Sequence, residues 1–579
     1  MIREEIEKII RNALKELKNE LGDFSIEQIL LEHPENPEHG DYSTNIALIL
    51  GKQLKKNPKE LAETIASAIS GKQSEILEKV ETVNGFINFY LARKLFEATL
   101  QTVLREKEKF GQNTLLRGKK IMVEYAHPNT HKEMHIGHMR TLITGEALAR
   151  IFEANGTKVF RANYQGDIGP HVAKAIWGTE KILGERGMSW SDAEKLHLQE
   201  KAHLLGEGYV RGNQEYETHK ENIDELNAKL YRKDRSVMPA YKRTRKWSLD
   251  YYKHFYPRFG TTFDKLYFES EVAEQGKNIV LQNVGKVFEK SEGAIIFDGE
   301  KYGLHKRVFV TKEGNPTYEA KEMGLAPLQY KDFPFDLNVH VVANEQSGYF
   351  EVVFKALELV DEKFKTREYH LPMGMVQLVG KKISSRTGVV VTVDGLLNEV
   401  KNLLTNLITS QELTLKEKEE VREKGTIAAV KYSVLKTDTK SNVMFDLARS
   451  VALDGNSGPY LLYTYARCQS ILHKPNAARS ILLRSNVLPN LSAEELGILR
   501  TIYKFPEIVY EAAEKYAPNL ICNFVFDLAQ KYNAFYNAHS VLQAETKQQK
   551  EFRLLLTSAV AQLIQNSLYL LGIQTLEKM

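Results

Sequence analysis

The 579-residue sequence predicts a multidomain protein that combines α/β with all-α parts and has a parallel sheet in its central region. Three observations predict this fold class. Strand and helix patterns mix near the N-terminus, a strand–helix–strand order follows, and helical periodicity dominates near the C-terminus. We therefore predict a small α+β domain at 1–112, a parallel-sheet α/β domain at 113–440 with a largely helical insertion around 180–300, and a helical bundle at 441–579.

The N-terminal region carries both kinds of pattern. Apolar residues recur at helical spacing over residues 2–17, and Asn57-Pro58 is a helix start signal. Residues 83–91, VNGFINFYL, alternate sufficiently to predict a strand. The charged stretch REKEKFGQN (105–113) marks the boundary with the next domain.

The central region begins with a strand–helix–strand unit. KKIMVEYA (119–126) is typical of a buried strand, residues 139–156 predict a helix that ends at a glycine, and TKVFRANY (157–164) predicts the next strand. Such a unit implies a parallel sheet with a right-handed crossover. DLNVHVVA (336–343) and the helix predicted after it extend the pattern, whereas no strand signal is found beyond about residue 441.

The composition excludes several classes of protein. Its 42% hydrophobic and 27% charged residues are ordinary for a globular protein, and no apolar run approaches the roughly 18 residues of a membrane helix. The only cysteines, Cys468 and Cys522, predict neither a disulfide framework nor a cysteine metal site. The N-terminus lacks the apolar run of a secretory signal, so we expect a cytoplasmic protein without a membrane partner. A net charge of +4 does not by itself indicate nucleic acid.

Residues 127–140, HPNTHKEMHIGHMR, contain four of the sixteen histidines. One interpretation is a metal site, because His131 and His135 would lie one turn apart on a helix. Pro128 and Gly137 weaken such a helix, however, and one glutamate is the only local carboxylate. We therefore expect no bound metal here.

The other interpretation is a phosphate site at a strand-to-helix turn. The segment would lie at the C-terminal edge of the parallel sheet, where helix N-termini favour anions. Gly137 would let a nucleotide approach the backbone, and His135 and His138 would donate hydrogen bonds to its phosphate oxygens.

Two motifs carry a resemblance to a known family. HIGH (135–138) resembles the signature of class I aminoacyl-tRNA synthetases, which bind ATP in a Rossmann-type domain. GKKISSRTG (380–388) resembles their mobile KMSKS loop, with Lys382 and Ser384 at its first and third positions. Taken alone, this second stretch is equally typical of a basic surface turn.

The flanking sequences resemble arginyl-tRNA synthetases over nearly the whole chain. Those in the central region are VEYAHPNTHKEMHIGHMRTLITGEALARIFEANG, NYQGDIGPH, GNPTYEAKEMGLA, HVVANEQ and HLPMGMVQL. The family's N-terminal domain, which contacts the tRNA elbow, is resembled by HGDYSTNIALILGKQLKKNP. The entrance to its anticodon-binding domain is resembled by GNSGPYLLYTYARCQSI. The resemblance implies a monomer that activates L-arginine with ATP and transfers it to the terminal ribose of tRNA(Arg), with tRNA bound before the first step.

The resemblance also implies which residues form the site. The arginine-binding residues would be Glu124, Asn129, Tyr318, Gln346 and Glu322, the last in place of the family's usual Asp. Charge on the phosphates would be neutralised by His135, His138, Lys132 and Lys382, and ATP would also contact Gly137, Met375, Val376 and Ser384. Mg²⁺ would accompany ATP on phosphate oxygens and water, without a dedicated protein site. Ser385 replaces the second KMSKS lysine, and Lys132, just before HIGH, would substitute for it.

The C-terminal domain has nearly balanced charge, so we expect stacking and shape to dominate anticodon recognition. The candidates are Tyr460, Arg467, Asn533, Tyr536 and the C-terminal Met579. Most tyrosines at helical spacing are core residues, which is the alternative interpretation of these positions.

Two other functions remain open from sequence. A synthetase-like enzyme for another substrate is disfavoured by the acidic pocket residues and by the C-terminal helical domain. A catalytically inactive tRNA-binding paralogue is disfavoured by the intact His135, Gly137, His138 and Lys382.

Overall fold

The strands and helices follow the predicted change from mixed to helical structure along the chain. The computed structural model describes residues 1–25, 29–71, 74–380, 391–407, 413–474 and 490–579. Within these ranges the strands are β1 (Leu31–Glu32), β2 (Tyr42–Thr44), β3 (Leu77–Val83), β4 (Phe86–Leu91), β5 (Lys120–Glu124), β6 (Lys158–Gln165), β7 (Lys265–Phe268), β8 (Glu289–Ser291), β9 (Ala294–Phe297), β10 (Arg307–Val310), β11 (Leu337–Ala343), β12 (Glu368–Met373), β13 (Val376–Leu378) and β14 (Val443–Phe445).

The α-helices of the same ranges run from the N-terminus to the C-terminal region. They are α1 (Ile2–Glu16), α2 (Lys18–Leu21), α3 (Ile46–Leu54), α4 (Pro58–Ser70), α5 (Arg93–Glu106), α6 (Ile136–Ala154), α7 (Pro170–Glu185), α8 (Trp190–Ala193), α9 (Leu198–Gln214), α10 (Lys220–Tyr231), α11 (Met238–Arg258), α12 (Glu269–Gln282), α13 (Tyr318–Asp332), α14 (Ser347–Val360), α15 (Val393–Leu407), α16 (Leu415–Leu435), α17 (Leu447–Ser450), α18 (Gly458–Leu472), α19 (Ala493–Ile502), α20 (Phe505–Glu514), α21 (Asn519–Ala538) and α22 (Lys547–Leu570). The 3₁₀ turns are Pro37–His39, Lys107–Lys109, Gly299–Tyr302, Asn344–Gln346 and Glu362–Phe364. None of the helices so described is long and apolar enough to cross a membrane.

The chain divides into two structural units. The first comprises Met1–Gly111, Arg467–Ile508 and Phe524–Asn566, and the second comprises Gln112–Ala466, Val509–Asn523 and Ser567–Met579. In the first unit, an antiparallel sheet of order β1-β2-β4-β3 packs beside helices. Its β3–β4 hairpin turns at Asn84 and Gly85, which both have positive φ, as a tight right-twisting turn requires.

The second unit is built on a five-stranded parallel sheet of order β12-β11-β5-β6-β7. Counting only these strands in chain order, the sheet reads 5-4-1-2-3, so the winding direction reverses between β5 and β11. Ligands of such doubly wound sheets bind at the carboxyl ends of the strands where the reversal occurs. This arrangement confirms the predicted Rossmann-type fold class and directs attention to the ends of β5 and β11.

The structure corrects two details of the sequence prediction. The stretch 180–300 is largely helical as predicted, with α8–α12, but it also contains the sheet strand β7 and the hairpin β8–β9. The expectation that strands end before residue 441 is wrong for β14, which pairs in parallel with β13. Both were missed because these strands are only three or four residues long, too short for a clear alternating pattern.

Candidate active site

The loop between β5 and α6 begins the site. Ala126, His127 and His131 all have positive φ, a conformation that costs non-glycine residues free energy and persists only where surrounding contacts enforce it. The His131 ring supplies such contacts, because its Nδ1 lies 2.9 Å from the Thr130 hydroxyl and its Nε2 lies 2.7 Å from that of Thr244. Burial lowers the pKa of His131 to about 3, so this histidine is a neutral part of the loop's internal packing.

His135 forms the N-cap of α6. Its Nδ1 accepts hydrogen bonds from the backbone N–H groups of Gly137 (3.1 Å) and His138 (3.4 Å). A Cβ at position 137 would lie 2.9 Å from the His135 ring, so the glycine makes room for this ring. The predicted reason for Gly137 was close approach of a nucleotide, whereas in the structure its nearest neighbour is the capping imidazole.

His135 and His138 stack with their ring centroids 3.6 Å apart. Burial, reinforced by Lys132, lowers the pKa of His135 to about 4. Burial, His135 and Lys132 also hold the pKa of His138 well below its usual range. Since Nδ1 of His135 is an acceptor, its proton lies on Nε2. The pair therefore offers neutral hydrogen-bond donors at pH 7.

Lys132 extends over the ring of Tyr209 on α9, with its Nζ 4.0 Å from the centroid. It lines a cavity of about 640 Å³ together with Asn129, His135, Thr392 and side chains of α7 and α9. The lysine predicted to meet phosphate thus lies beside His135 at the edge of an open cavity.

Arg140, two residues after the HIGH motif, is a buried cation bonded to main-chain carbonyls. Its Nη1 donates to the oxygens of Gly374 (2.5 Å) and Met375 (3.0 Å). Its Nη2 donates to those of Thr439 (3.0 Å) and Ser441 (2.7 Å). These bonds join the first turns of α6 to the segments that precede β13 and β14.

The predicted ATP contacts lie partly in this region. Val376 is buried at the start of β13, and the Met375 side chain is exposed. Lys382, Ser384 and Ser385 lie outside the described residues.

Glu124, at the end of β5, is part of a buried acidic cluster. Its Oε1 lies 3.1 Å from Nδ1 of His340, the residue beside it on β11, and its Oε2 accepts from the Gln329 amide. Nε2 of His340 lies 2.7 Å from Glu368 on β12. Burial opposes ionisation of Glu124, yet His340, His127 and Gln329 together hold its pKa below the usual value. Burial also opposes protonation of His340, but the two glutamates raise its pKa well above the usual range.

Glu322 on α13 is the second predicted acidic pocket residue, and it accepts a hydrogen bond from the Tyr349 hydroxyl at 3.2 Å. Burial and the Glu124 charge raise its pKa to about 8. The Tyr164 hydroxyl is buried near these carboxyls and has no hydrogen-bond partner in the described part of the chain. A planar cation with several N–H donors would complement such acceptors.

The remaining predicted arginine-binding residues lie at the ends of the neighbouring elements. The Asn129 amide oxygen occupies the space that a Cβ on Gly166 would need, only 2.3 Å from it. Tyr318, 53% exposed, begins α13, and its ring lies 4.9 Å from Nζ of the buried Lys321. Gln346 is exposed just after β11.

Three of the predicted tRNA-binding residues come together in the first unit. Arg467 donates to the side chain of Asn533, and its guanidinium lies 4.8 Å from the centre of the Tyr536 ring, which is 39% exposed. Tyr460 and Met579 belong to the second unit, where Tyr460 is buried.

Comparison with known proteins agrees with this geometry. Residues 99–447 match the family model for the catalytic domain of class I (R) tRNA synthetases. The flanking residues 4–91 match the arginyl-tRNA synthetase N-terminal domain, and 461–579 match the DALR anticodon-binding domain. The sheet order and the HIGH turn therefore define a class I aminoacyl-tRNA synthetase.

Full-length relatives identify the particular family. The chain is 30% identical to the arginine–tRNA ligases of Bacteroides fragilis, over 99% of each chain, and of Clostridium perfringens, over 96% of this chain and 97% of the relative. The solved arginyl-tRNA synthetase of Thermus thermophilus covers it completely with a TM-score of 0.80 at 25% identity. The chain belongs to the arginyl-tRNA synthetase family.

Sequence reasoning missed several polar residues of the cluster. His340 and Tyr164 lie within stretches quoted for the resemblance, but neither was singled out, and Glu368 and Gln329 were not considered. Only Tyr164, at the end of a predicted strand, and His340, inside another, carried any sequence signal. The cluster itself was not predictable, because the contact between β5 and β11 joins residues more than 200 positions apart.

Proposed function

We propose that this chain is an arginine–tRNA ligase, which forms arginyl-adenylate and pyrophosphate from L-arginine and ATP and then transfers arginine to tRNA(Arg). The observation that carries the proposal is the position of an acidic cluster beside the HIGH turn, at the reversal point of a parallel sheet. Binding of a guanidinium requires carboxylates, and binding of a triphosphate requires hydrogen-bond donors. Both are found at adjacent strand ends.

The arginine site comprises Glu124 and Glu322 for the guanidinium, with Tyr318 packed against the side chain. Asn129 holds the substrate together with Glu124 from the strand end, and Gln346 completes the wall of the pocket. Because the substrate carboxylate is itself a nucleophile, this enzyme needs no nucleophilic side chain for the first step. The protein's contribution is to orient the carboxylate towards the α-phosphorus and to stabilise developing charge.

The ATP site comprises His135, Gly137, His138, Met375, Val376, Lys382 and Ser384. The two neutral imidazoles donate hydrogen bonds to phosphate oxygens as negative charge builds up, and Lys132 and Lys382 supply positive charge. Mg²⁺ enters with ATP as part of the substrate, on phosphate oxygens and water. In the described residues, no group of three or more histidine, cysteine or acidic side chains forms a metal site.

The tRNA is bound by the N-terminal domain, here 1–112, and by the anticodon-binding domain, here 441–579, and the catalytic domain is at 113–440. Arg467, Asn533 and Tyr536 form a cation–aromatic cluster that suits stacking with an unpaired base. Tyr460 and Met579 complete the proposed set. The enzyme acts as a cytoplasmic monomer.

Pyrophosphate exchange with each amino acid, with and without tRNA(Arg), tests this function. We expect exchange with arginine alone among the amino acids, and efficient exchange only when tRNA(Arg) is present. Exchange with another amino acid would identify a different synthetase-like activity. No exchange under any condition would identify an inactive tRNA-binding paralogue.

A further inference from the structure

Three carboxyl groups and one imidazole are buried together where β5, β11, β12 and α13 meet. The side chains of Glu124, His340 and Glu368 are only 2–3% exposed, and the His340 ring bridges the two glutamates through its two nitrogens. Burial raises the pKa of Glu368, and the hydrogen bond and charge of His340 oppose that rise. With both glutamates ionised, the imidazole donates at both nitrogens, which only the protonated ring does, and the raised pKa of His340 agrees with that state. The bridge therefore contains one cation between two acidic groups.

The Glu124 carboxylate is held in one orientation by contacts at both of its oxygens. His340 bonds Oε1, and the Gln329 amide bonds Oε2 while its own carbonyl oxygen accepts from Asn338 at 3.1 Å. Removal of a donor from such a network leaves a buried acceptor unsatisfied. Glu124 is thus oriented before any ligand arrives.

Glu322 differs from Glu124 in its neighbours. Its carboxyl accepts one hydrogen bond, from Tyr349, and it faces Glu124 from β5, His340 from β11, Glu368 from β12 and the Tyr164 hydroxyl from β6. Of these charged groups, only His340 favours its ionised form. Burial and the neighbouring carboxylates raise its pKa to about 8, so it is protonated at neutral pH before a ligand binds.

We propose that His340 is a positioning residue for arginine, which orients the ionised Glu124 carboxylate and leaves Glu322 as the carboxyl that releases a proton when the guanidinium binds. This inference rests on the proposed function. The incoming cation pairs with both carboxylates, and the proton from Glu322 passes to solvent. His340 would not touch arginine; it acts through Glu124 and through its positive charge.

The proposal fixes the sign of a pH dependence. Arginine binds the ionised form of Glu322, so below about pH 8 the KM for arginine should rise by up to about tenfold for each unit that the pH falls, and above that pH it should level off. Removal of the His340 charge stabilises the protonated form of Glu322 further. The pH at which KM levels off should therefore move upward in a neutral variant.

The first experiment measures arginine and ATP kinetics of the full chain with tRNA(Arg) from pH 6 to 8.5. His340→Gln should raise the KM for arginine by about tenfold or more and shift the levelling pH upward, with the KM for ATP changed less than about twofold. His370→Gln is the matched control, because His370 lies beside His340 on β12 but its ring bonds a backbone carbonyl, that of Val342. His370→Gln should leave both the KM for arginine and the levelling pH unchanged.

The second experiment does not depend on folding of a His340 variant. Arginine binding to the unaltered chain with tRNA(Arg), followed by calorimetry at pH 7 in buffers of different ionisation enthalpy, should release about one proton. Glu322→Gln, which has no proton to lose, should bind more weakly and release none.

Two results would overturn the inference. One is a His340→Gln enzyme with unchanged arginine KM and unchanged levelling pH. The other is proton-neutral arginine binding at pH 7 by the unaltered chain. A complete absence of arginine-dependent exchange in the unaltered chain would instead overturn the proposed function, and with it this inference.

Discussion

The two sides of the catalytic crevice use histidine in opposite charge states. On the α6 side, His135 and His138 are buried beside each other and Lys132, and their pKa values are lowered. On the β11 side, His340 is buried between two glutamates, and its pKa is raised. Burial opposes the charge at all three, so the neighbouring charges determine the outcome.

This difference matches the substrates proposed for the two sides. A triphosphate is already highly charged, and neutral donors can bind its oxygens without titrating as the charge changes. A guanidinium needs anions, and carboxylates packed together would take up protons unless a cation were placed among them. The ATP side thus relies on neutral donors and main-chain contacts, and the arginine side on a balanced set of buried charges.

The largest effect is expected from removing the negative charge of Glu124, the buried carboxylate of the arginine side. Glu124→Gln deletes a guanidinium partner and leaves the His340 cation with one glutamate. Breaking a buried pair typically costs about 3–5 kcal/mol, so kcat/KM for arginine should fall by about a thousandfold while the KM for ATP stays nearly constant. Steady-state exchange measures both. Glu153→Gln is the control, because it alters only a partly exposed pair with Arg161. If Glu124→Gln lowered kcat/KM for arginine by less than tenfold, Glu124 would not belong to the arginine pocket.

The second effect concerns the neutral histidines. His135→Gln or His138→Gln should each lower kcat by about a hundredfold, because each removes a donor to the developing phosphate charge. Since both rings are already neutral, kcat of the unaltered enzyme should show no histidine ionisation between pH 6 and 9, and only acid below that range should protonate them. The exposed His254→Gln is the control. An inflection near pH 6.5 that disappears in His135→Gln would contradict the neutral assignment.

The contrast between these sides also separates what the sequence could predict from what it could not. The HIGH turn and the carboxylate at the end of β5 are local features, because strand, loop and helix follow one another in the chain. His135 and Gly137 were therefore predicted as site residues from neighbouring residues, whereas Glu124 was assigned from the family resemblance. The fold class followed from the same local strand–helix–strand order.

The charge state of those residues was not predictable, because distant segments determine it. His340 and Glu368 reach Glu124 only when β11 and β12 align beside β5, a register that the sequence pattern does not specify. Similarly, Arg140 looks like any helix residue until the carbonyls near residues 374 and 440 surround it. The short strands β7 and β14 were missed for a related reason, since pairing rather than periodicity defines them.

A third prediction tests the main-chain contacts of the ATP side. Arg140→Lys keeps the charge but cannot reach several carbonyls at once, so the segment before β13 should lose its fixed position against α6. We expect the KM for ATP to rise by about tenfold and the KM for arginine to change little. Arg150→Lys, on the same helix but bonded to the Gly260 and Tyr569 carbonyls, is the matched control. An equal rise in both KM values would indicate general destabilisation instead.

The smallest effect is expected where the arginine side meets solvent. Tyr318 is 53% exposed, so water competes for its hydroxyl, and a hydrogen bond there contributes about 0.5–1.5 kcal/mol at most. Tyr318→Phe should therefore raise the KM for arginine by only about threefold. Tyr318→Ala should raise it further, because it also removes the ring that lies over Lys321. If Tyr318→Phe raised the KM for arginine as much as Glu124→Gln does, the Tyr318 hydroxyl would be a main arginine contact and not a solvent-exposed one.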